Sequence, residues 1–380
     1  MHPRVWSGLP SRTRVGCSMR NLSCNLSGMS EHIDTSRDGL LERLERGPVI
    51  CAEGYLFELE RRGYLQAGGF VPEVVLDHPE KVAELHREFV HAGSDVVEAF
   101  TYYAHREKLK LIGKEALLEQ INRQALSIAK EVAAESGSLV AGNVCNTNVY
   151  TGPESDTAVR KMFAEQVGWA AEAGVDFVVA ETIAWLGEAL VATEVIKKNG
   201  LPAVVTLAAH QDPAMRDGSS PAEACQRLEA AGADVVGLNC SRGPRTMLPL
   251  LEEIRAAVAV PVAALPVPYR TTEKHPSFQS LEDDDPDRGD LPTGRPFPTA
   301  LEPFTCNRYE IAEFARQAHE LGVDYLGVCC GAAPHHIRAM AEALGRTPPA
   351  SHFSADMSKH YALGTDTSLK PENQQYVQRL

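Results

Sequence analysis

Eight short segments rich in β-branched and aliphatic residues recur along the chain, with helical patterns between them. They span residues 49–55, 94–101, 138–144, 175–182, 202–209, 233–240, 260–267 and 323–330. Near-continuous apolar strands indicate burial on both faces, which parallel sheets covered by helices provide. Eight βα-sized units over about 300 residues therefore predict an α/β fold, a (β/α)8 TIM-type barrel.

Four of these segments share a short repeat at their entrance. The repeat reads HAGSDVV, EAGVDFV, AAGADVV and ELGVDYL, so that a helix ends near Gly and a strand opens close to Asp. Gly tolerates the left-handed conformation that often ends a helix. The recurrence indicates one architecture throughout the segmented region.

Composition divides the chain into three parts. Residues 1–38 are predicted to be a disordered or targeting N-terminal extension, residues 39–347 the barrel domain, and residues 348–380 a polar C-terminal tail. The barrel carries an inserted loop at 270–300, before its last strand. The acidic stretch 282–290 in this loop is interpreted as a solvated surface, with a lid or subunit contact as the alternative.

The first thirty residues differ from the rest because they contain four Arg, six Ser and no acidic residue. Such a composition is found in transit peptides. No amphipathic Arg stripe is evident, and Met29 is a possible true start. A disordered or mispredicted extension is therefore the first interpretation. A mitochondrial transit peptide is the alternative.

Charge and composition exclude several classes of partner. The 51 acidic and 37 basic residues give a net charge of −14, which repels phosphate backbones and anionic lipid. No run reaches the roughly 18 apolar residues of a membrane helix. The nine cysteines are irregularly spaced, unlike a secreted disulfide framework. We expect a cytoplasmic protein with a small ligand and no nucleic-acid or membrane partner, and a homo-oligomer is compatible with the sequence.

Three cysteines fall at predicted strand ends, where barrel enzymes carry their active sites. Cys240 ends the sixth segment, and Cys329 and Cys330 end the eighth. Successive strand residues point to opposite faces, so this pair converges only where the strand stops and the backbone bends, as Gly331 permits. Three thiolates with a fourth position open predict a catalytic Zn²⁺ site. Core packing is the alternative for each cysteine.

Carboxylates and aromatic rings are the other side chains expected at the barrel mouth. They comprise Glu53 with Gly54, residues 100–103, Asn143, Glu181 with Thr182, and His210. Two carboxylates suit an ammonium group, and ring faces attract a desolvated methylated cation by about 2 kcal/mol. Core packing is the alternative for the rings. Cys51 and Cys145, which also lie on strands, are interpreted as core residues.

The net charge of the predicted centre indicates its chemistry. Zn²⁺ with three thiolates is a weak Lewis acid but holds a further electron-rich sulfur well. Coordination deprotonates a thiol whose pKa is otherwise near 8.5. The sequence therefore predicts a thiol substrate that attacks an alkyl donor.

The cysteine motifs GLNC (237–240) and GVCCG (327–331), the latter followed by APHHIRAMAEAL, resemble the zinc-dependent homocysteine S-methyltransferase family. The similarity is greater to its betaine:homocysteine S-methyltransferases, covers residues 39–347, and includes LERRGYLQAG (59–68) and FTYYA (100–104). It implies that homocysteine sulfur completes the zinc coordination and attacks a methyl group of a methylated quaternary ammonium or sulfonium donor, giving methionine.

The resemblance also assigns residues to roles. It implies that Cys240, Cys329 and Cys330 are the zinc ligands. It implies that Glu181 binds the homocysteine amino group, and that Tyr102 and Tyr103 face the donor. No general base is required, because the nucleophile arrives ionised.

Three departures from the family pattern concern substrate binding. The first-strand turn reads Ala52-Glu53-Gly54 where the family has Asp-Gly-Gly, so the acidic contact to homocysteine is either lost or, as we expect, taken over by Glu53. Phe70 stands where betaine enzymes have Trp, and Thr182 where they have Tyr. The donor pocket then has less ring area. Glycine betaine is the favoured donor, and S-methylmethionine or another sulfonium compound is the alternative.

The predicted substrate-binding residues are Glu53, Gly54, Phe70, Tyr102, Tyr103, Glu181 and Thr182. Two further hypotheses stay open at this point. One is a non-catalytic homocysteine or zinc sensor, and the other is a zinc barrel enzyme that uses Glu181 and His210 as ligands.

Overall fold

The computed structural model describes residues 38–283, 285, 291, 294–377 and 379. Of the predicted N-terminal extension only Asp38 is among them. Most of the acidic stretch 282–290 also lies outside the described residues.

Eight parallel strands form a closed barrel, in which each strand pairs with its neighbours in chain order and the last pairs with the first. This confirms the predicted (β/α)8 fold. The strands are β1 (Val49–Ala52), β2 (Val96–Glu98), β3 (Leu139–Cys145), β4 (Phe177–Ile183), β5 (Ala203–Leu207), β6 (Val235–Asn239), β7 (Val262–Leu265) and β8 (Val323–Val328). Each overlaps a predicted segment, but most are shorter at their carboxyl ends.

Helices connect the strands and cover the barrel. They are α1 (Leu40–Arg46), α2 (Tyr55–Arg61), α3 (Val74–Asp77), α4 (Pro79–Ala92), α5 (Arg106–Leu111), α6 (Leu118–Ser136), α7 (Asp156–Ala173), α8 (Leu186–Lys198), α9 (Pro221–Ala230), α10 (Pro244–Ala257), α11 (Arg308–Glu320), α12 (Pro334–Ala343) and α13 (Pro371–Val377).

Both faces of the strands are buried, as their apolar sequences predict. Every residue of β1, β3 and β5 is buried. Inside the barrel, the ring of Phe177 on β4 meets that of Tyr325 on the opposite strand β8 edge to face, with centroids 6.3 Å apart. Burying a side chain of this size stabilises the fold by about 1.5–3 kcal/mol. The interior is therefore packed and leaves the strand ends for function.

The sequence repeat has a structural explanation in its Gly and Asp residues. The four glycines that precede the strands have positive φ, between 70° and 117°. Three of the aspartates each accept a hydrogen bond from the backbone of the preceding strand. Asp95 Oδ2 accepts the Ile50 N–H at 2.8 Å, Asp176 Oδ2 accepts the Val140 N–H at 2.7 Å, and Asp234 Oδ2 accepts the Ala203 N–H at 2.7 Å. The repeat therefore ends helices and aligns strands.

The predicted insertion reaches over the barrel mouth. Phe278 is buried and stacks on Tyr269 with ring centroids 5.8 Å apart, while Phe297 meets Phe278 edge to face at 4.9 Å. An isolated antiparallel bridge joins Tyr269 to Thr305. Part of the loop is therefore anchored by aromatic packing.

The predicted polar tail contains a 3-10 turn at Pro349–His352 as well as α13. Within the described part of the chain, no helix combines the length and the apolar content needed to cross a bilayer. The domain boundaries, the cytoplasmic location and the homo-oligomer stay predictions.

Candidate metal and substrate site

Three cysteine sulfurs lie together at the carboxyl end of the barrel. Cys240 directly follows β6, and Cys329 and Cys330 directly follow β8. The three Sγ atoms lie within 4.8 Å of one another, and the last two are 3.9 Å apart. Ligands about 2.3 Å from a tetrahedral metal are roughly 3.8 Å from each other. The predicted convergence therefore exists and has nearly the spacing of a zinc site.

Backbone bends at both strand ends produce this convergence. Cys240 and Ser241 have φ of 58° and 60°, and Gly331 has φ of 94°. A Cβ on Gly331 would lie 2.2 Å from the Tyr269 hydroxyl, which itself accepts a hydrogen bond from Arg61 Nη2 at 2.8 Å. A side chain at position 331 is therefore excluded both by conformation and by space.

The proximity of the thiols alters their acidity. The pKa of Cys240 is lowered well below its ordinary value, because Cys329 and Cys330 donate hydrogen bonds to its thiolate. The pKa of Cys330 is raised chiefly by its hydrogen bond with Cys240, and that of Cys329 by burial. The cluster therefore favours one thiolate, the ionisation state that binds metal.

A small inner pocket beside the sulfurs contains three buried carboxylates. Glu53, Glu98 and Glu181 are at most 7% exposed. Together with Asn143, Cys329 and Cys330 they line this pocket. Glu53 and Glu181 also form, with Cys329, a second cluster of possible ligand atoms within 4.8 Å of one another. The inner pocket is therefore rich in carboxyl groups.

Two asparagines hold these carboxylates in place. Asn143 Nδ2 donates to Glu181 Oε1 at 2.7 Å and also to Glu98 Oε1. Asn239 Nδ2 donates to Glu181 Oε2 at 2.9 Å and to Glu53 Oε2 at 3.2 Å. Two acceptors, Glu53 Oε1 and Asn143 Oδ1, are buried without a hydrogen-bond partner among the described residues. Unpartnered buried acceptors suit a ligand that brings N–H donors.

Burial makes these carboxylates weak acids. Desolvation raises the pKa of Glu181 to about 7, against the hydrogen bonds from Asn143, Thr182 and Asn239. Desolvation, followed by the charge of Glu181, also raises the pKa of Glu53 and of Glu98 well above the usual range. A cation in the inner pocket would favour their ionised forms.

A larger outer cavity of about 300 Å³ lies on the other side of the sulfurs. Cys330 and Tyr102 line both spaces, so the sulfur cluster separates an acidic pocket from this cavity. Other predicted residues in its wall are Phe70, Tyr103, Thr182 and Cys240. Two reactants could thus meet at the sulfurs from opposite sides.

Tyr102 and Tyr103 form the aromatic part of this wall, with ring centroids 4.2 Å apart. Tyr103 has φ of 61°, and its N–H donates to Cys145 Sγ at 3.2 Å. Lys108 Nζ lies 3.9 Å from the centroid of the Tyr103 ring. The Lys108 ammonium group therefore already contacts the Tyr103 ring. Cys145, which is buried, also accepts a hydrogen bond.

The remaining predicted residues lie as follows. Glu53 and Gly54 follow β1, and a Cβ on Gly54 would be 2.6 Å from that of Ala332, so the two turns touch. Thr182 is on β4 with φ of 59°, and its hydroxyl donates to Glu181 Oε2 at 3.1 Å.

His210 contacts Ser241 Oγ through Nδ1 at 3.1 Å. His210 belongs to neither ligand cluster found among the described residues, so the hypothesis of a Glu181–His210 metal site is not supported.

Sequence reasoning missed several residues of the site. The sequence patterns assigned no role to Asn239 or Glu98, although Asn239 is part of the GLNC motif. Phe278, Gln279 and Phe297 of the insertion line the outer cavity. Aromatic residues within a polar insertion were the available signal for Phe278 and Phe297, because such rings need a buried surface to pack on.

The profile of the homocysteine S-methyltransferase family matches residues 50–344. Betaine–homocysteine S-methyltransferase 1 of Xenopus tropicalis is 39% identical over 330 residues, which are 83% of this chain and 79% of that protein. The S-methylmethionine–homocysteine S-methyltransferase BHMT2 of Mus musculus is 37% identical over 344 residues, 88% of each chain.

The fold also has a counterpart among solved structures. The homocysteine methyltransferase MmuM from Escherichia coli, in its oxidized form, superposes with a TM-score of 0.61 at 18% identity, covering 80% of this chain and 98% of that one. Its metallated form gives a TM-score of 0.60. At this identity the likeness concerns the fold.

Proposed function

We propose that this chain, which belongs to the homocysteine S-methyltransferase family, transfers a methyl group from a methylated onium compound to the sulfur of homocysteine, forming methionine. Glycine betaine is the favoured donor. S-methylmethionine or another sulfonium compound is the alternative. The observation that carries the proposal is the position of three cysteine sulfurs between an acidic pocket and an aromatic cavity.

Cys240, Cys329 and Cys330 suit a zinc ion. A set of three thiolates is soft, which favours Zn²⁺ over Mg²⁺ or Ca²⁺. The mixed cluster of Glu53, Glu181 and Cys329 is a poorer candidate, because both carboxylates already accept hydrogen bonds from Asn239. Zinc bound by the three cysteines would supply the charge that keeps a substrate thiol ionised at neutral pH.

The inner pocket suits the amino group of homocysteine. Its ammonium would donate to Glu181 and to the unpartnered oxygen of Glu53, while the sulfur lies beside Cys329 and Cys330. A buried polar atom without a partner costs about 1–3 kcal/mol, which the ligand would offset. Glu53 would therefore take over the contact that the chain loses at Ala52.

The outer cavity suits the onium donor. The faces of Tyr102 and Tyr103 attract a methylated cation, and Phe70 adds apolar surface from another loop. The homocysteine sulfur attacks one methyl carbon, and the bond from this carbon to the donor nitrogen or sulfur breaks with its electron pair left on the donor. The side chains contribute orientation and exclusion of water, so no general base is needed.

The proposal is tested by measuring metal content and methionine formation together. We expect about one zinc ion per chain, and methionine from homocysteine with at least one donor in a panel of betaines and sulfonium compounds. Cys240→Ser should lose zinc and activity. Cys225→Ser, which changes a buried cysteine of α9 outside the site, should lose neither.

Zinc-loaded protein that forms no methionine with any donor of the panel would refute the proposal. In that case tight calorimetric binding of homocysteine would favour the non-catalytic sensor. Full zinc retention in Cys240→Ser would refute the assignment of the metal ligands.

A further inference from the structure

We infer that Arg216 binds the carboxylate of the methyl donor. The donors that this enzyme accepts would then carry an onium group and a carboxylate in one small zwitterionic molecule. The inference rests on the proposed function and narrows its substrate class. It favours betaines and sulfonium carboxylates over choline or simple trialkylsulfonium ions.

Arg216 is the one permanent cation among the described residues that line the outer cavity. It lies in the connection between β5 and α9, whereas Phe70 follows β1, and Tyr102 and Tyr103 follow β2. Around the eight-stranded barrel, β5 is three positions from β2 and four positions from β1. The cavity wall also contains Tyr150 and Trp185, which follow β3 and β4. The cavity therefore places a guanidinium across from the rings of Phe70, Tyr102 and Tyr103, an arrangement that complements a molecule with one positive and one negative end.

The backbone that carries Arg216 is fixed to the barrel. The Arg216 N–H donates to the Ala184 carbonyl at 2.9 Å, just beyond the end of β4. The neighbouring Met215 is buried, and its N–H donates to the Ser219 carbonyl at 2.9 Å. Ser220 then forms the capping box of α9. The guanidinium therefore extends from a defined position at the rim of the cavity.

The Arg216 guanidinium has no ion pair or side-chain hydrogen bond with the residues that the structure describes. Glu188, the carboxylate of the cavity wall, is 2% exposed, and its Oε1 accepts the Thr147 N–H at 2.7 Å. Burial raises the pKa of Glu188, although Thr147 and the charge of Arg216 oppose this. The N–H donors of Arg216 are thus available to a ligand.

A carboxylate is the anion that matches this guanidinium best in a small methyl donor. The planar fork of Arg donates two parallel hydrogen bonds to the two oxygens of a carboxylate. The Arg216 side chain is exposed, so water screens the pair, and its contribution is smaller than at a buried site. We therefore expect an effect of about threefold on donor use, which equals about 0.6 kcal/mol.

Two sulfonium donors that differ in the carboxylate test this inference. Dimethylsulfonioacetate and trimethylsulfonium both lose a methyl group from sulfur, whose electron pair stays on the departing sulfide. Arg216→Gln should lower kcat/KM about threefold for dimethylsulfonioacetate. It should leave kcat/KM for trimethylsulfonium and KM for homocysteine unchanged. Arg227→Gln, an exposed Arg of α9 outside the cavity wall, should change none of these values.

The outcomes separate this inference from the proposed function. Equal losses with both donors, or no loss with either, would overturn the role of Arg216 while the methyltransferase proposal stands. A wild-type enzyme that transfers methyl groups from no donor of either kind would instead overturn the proposed function. Partial recovery in Arg216→Lys would support a role for charge, since Lys keeps the charge but not the fork.

Discussion

The side-chain amide of Asn239 donates a hydrogen bond to Glu181 Oε2 over 2.9 Å, joining the ends of β6 and β4. Its Oδ1 accepts the Thr182 N–H at 2.8 Å, and the next residue along the chain is Cys240. One residue therefore couples the position of a proposed metal ligand to that of the carboxylate proposed to bind homocysteine.

Asn239→Ala should raise the KM for homocysteine about tenfold, because Glu53 and Glu181 each lose a hydrogen bond from Asn239 that helps to orient them. Zinc content should persist, since the Cys240 N–H is held by the Leu265 carbonyl at 2.9 Å. Steady-state kinetics and metal analysis check both values. The matched control is Asn122→Ala, which removes a buried amide that bonds Ala104 and Leu118. An equal change of KM in this control would argue against a specific role for Asn239.

Gly331→Ala should lower zinc occupancy, because the added methyl meets the Tyr269 hydroxyl and residue 331 has positive φ. Gly345→Ala is the control, since Gly345 also has positive φ, 77°, but no atom of the described residues lies within 4 Å of a Cβ there. Measuring the zinc content of the folded Gly331→Ala and Gly345→Ala variants checks this prediction. If Gly345→Ala lost as much zinc as Gly331→Ala, backbone strain in general would be responsible. Adding Tyr269→Phe should restore part of the zinc.

Thr182→Tyr should lower the KM for glycine betaine by about three- to thirtyfold, because it adds a ring to the cavity wall. Residue 182 has φ of 59°, which an unbranched β-carbon tolerates better than Thr does. Thr182→Leu removes the same hydroxyl without adding a ring and serves as the control. An unchanged or higher KM in Thr182→Tyr would contradict the placement of this residue at the donor.

His86 should make the fold sensitive to acid. It is buried, neither ring nitrogen has a hydrogen-bond partner in the part of the chain that the structure describes, and burial lowers its pKa to about 3. A depressed pKa means that its contribution to stability is complete above pH 6.5 and is lost as pH falls towards 3, because the unfolded state then binds the proton. His86→Leu should therefore flatten the fall of the melting temperature between pH 6.5 and 4. A slope equal to that of wild type would refute this role.

Local patterns were sufficient to predict the barrel and the meeting of three cysteine sulfurs at its mouth. Apolar segments buried on both faces indicated eight parallel strands, and the Gly–Asp repeat indicated how four of the strands begin. Cys240, Cys329 and Cys330 stand at the carboxyl ends of two such segments. Parallel strands in a closed barrel bring these ends to one face, and this placed the sulfurs near one another before any coordinates were known.

Only the tertiary structure decided which side chains meet around those sulfurs. The contacts of Asn239, Glu98 and Arg216 depend on the register between strands and on the path of the β5–α9 connection, which sequence periodicity does not record. The contacts of the insertion also depend on the tertiary structure, because Phe278 and Phe297 pack at the barrel mouth. Periodicity is a property of neighbours along the chain, whereas convergence of side chains follows from barrel closure and from backbone bends such as the one at Cys240.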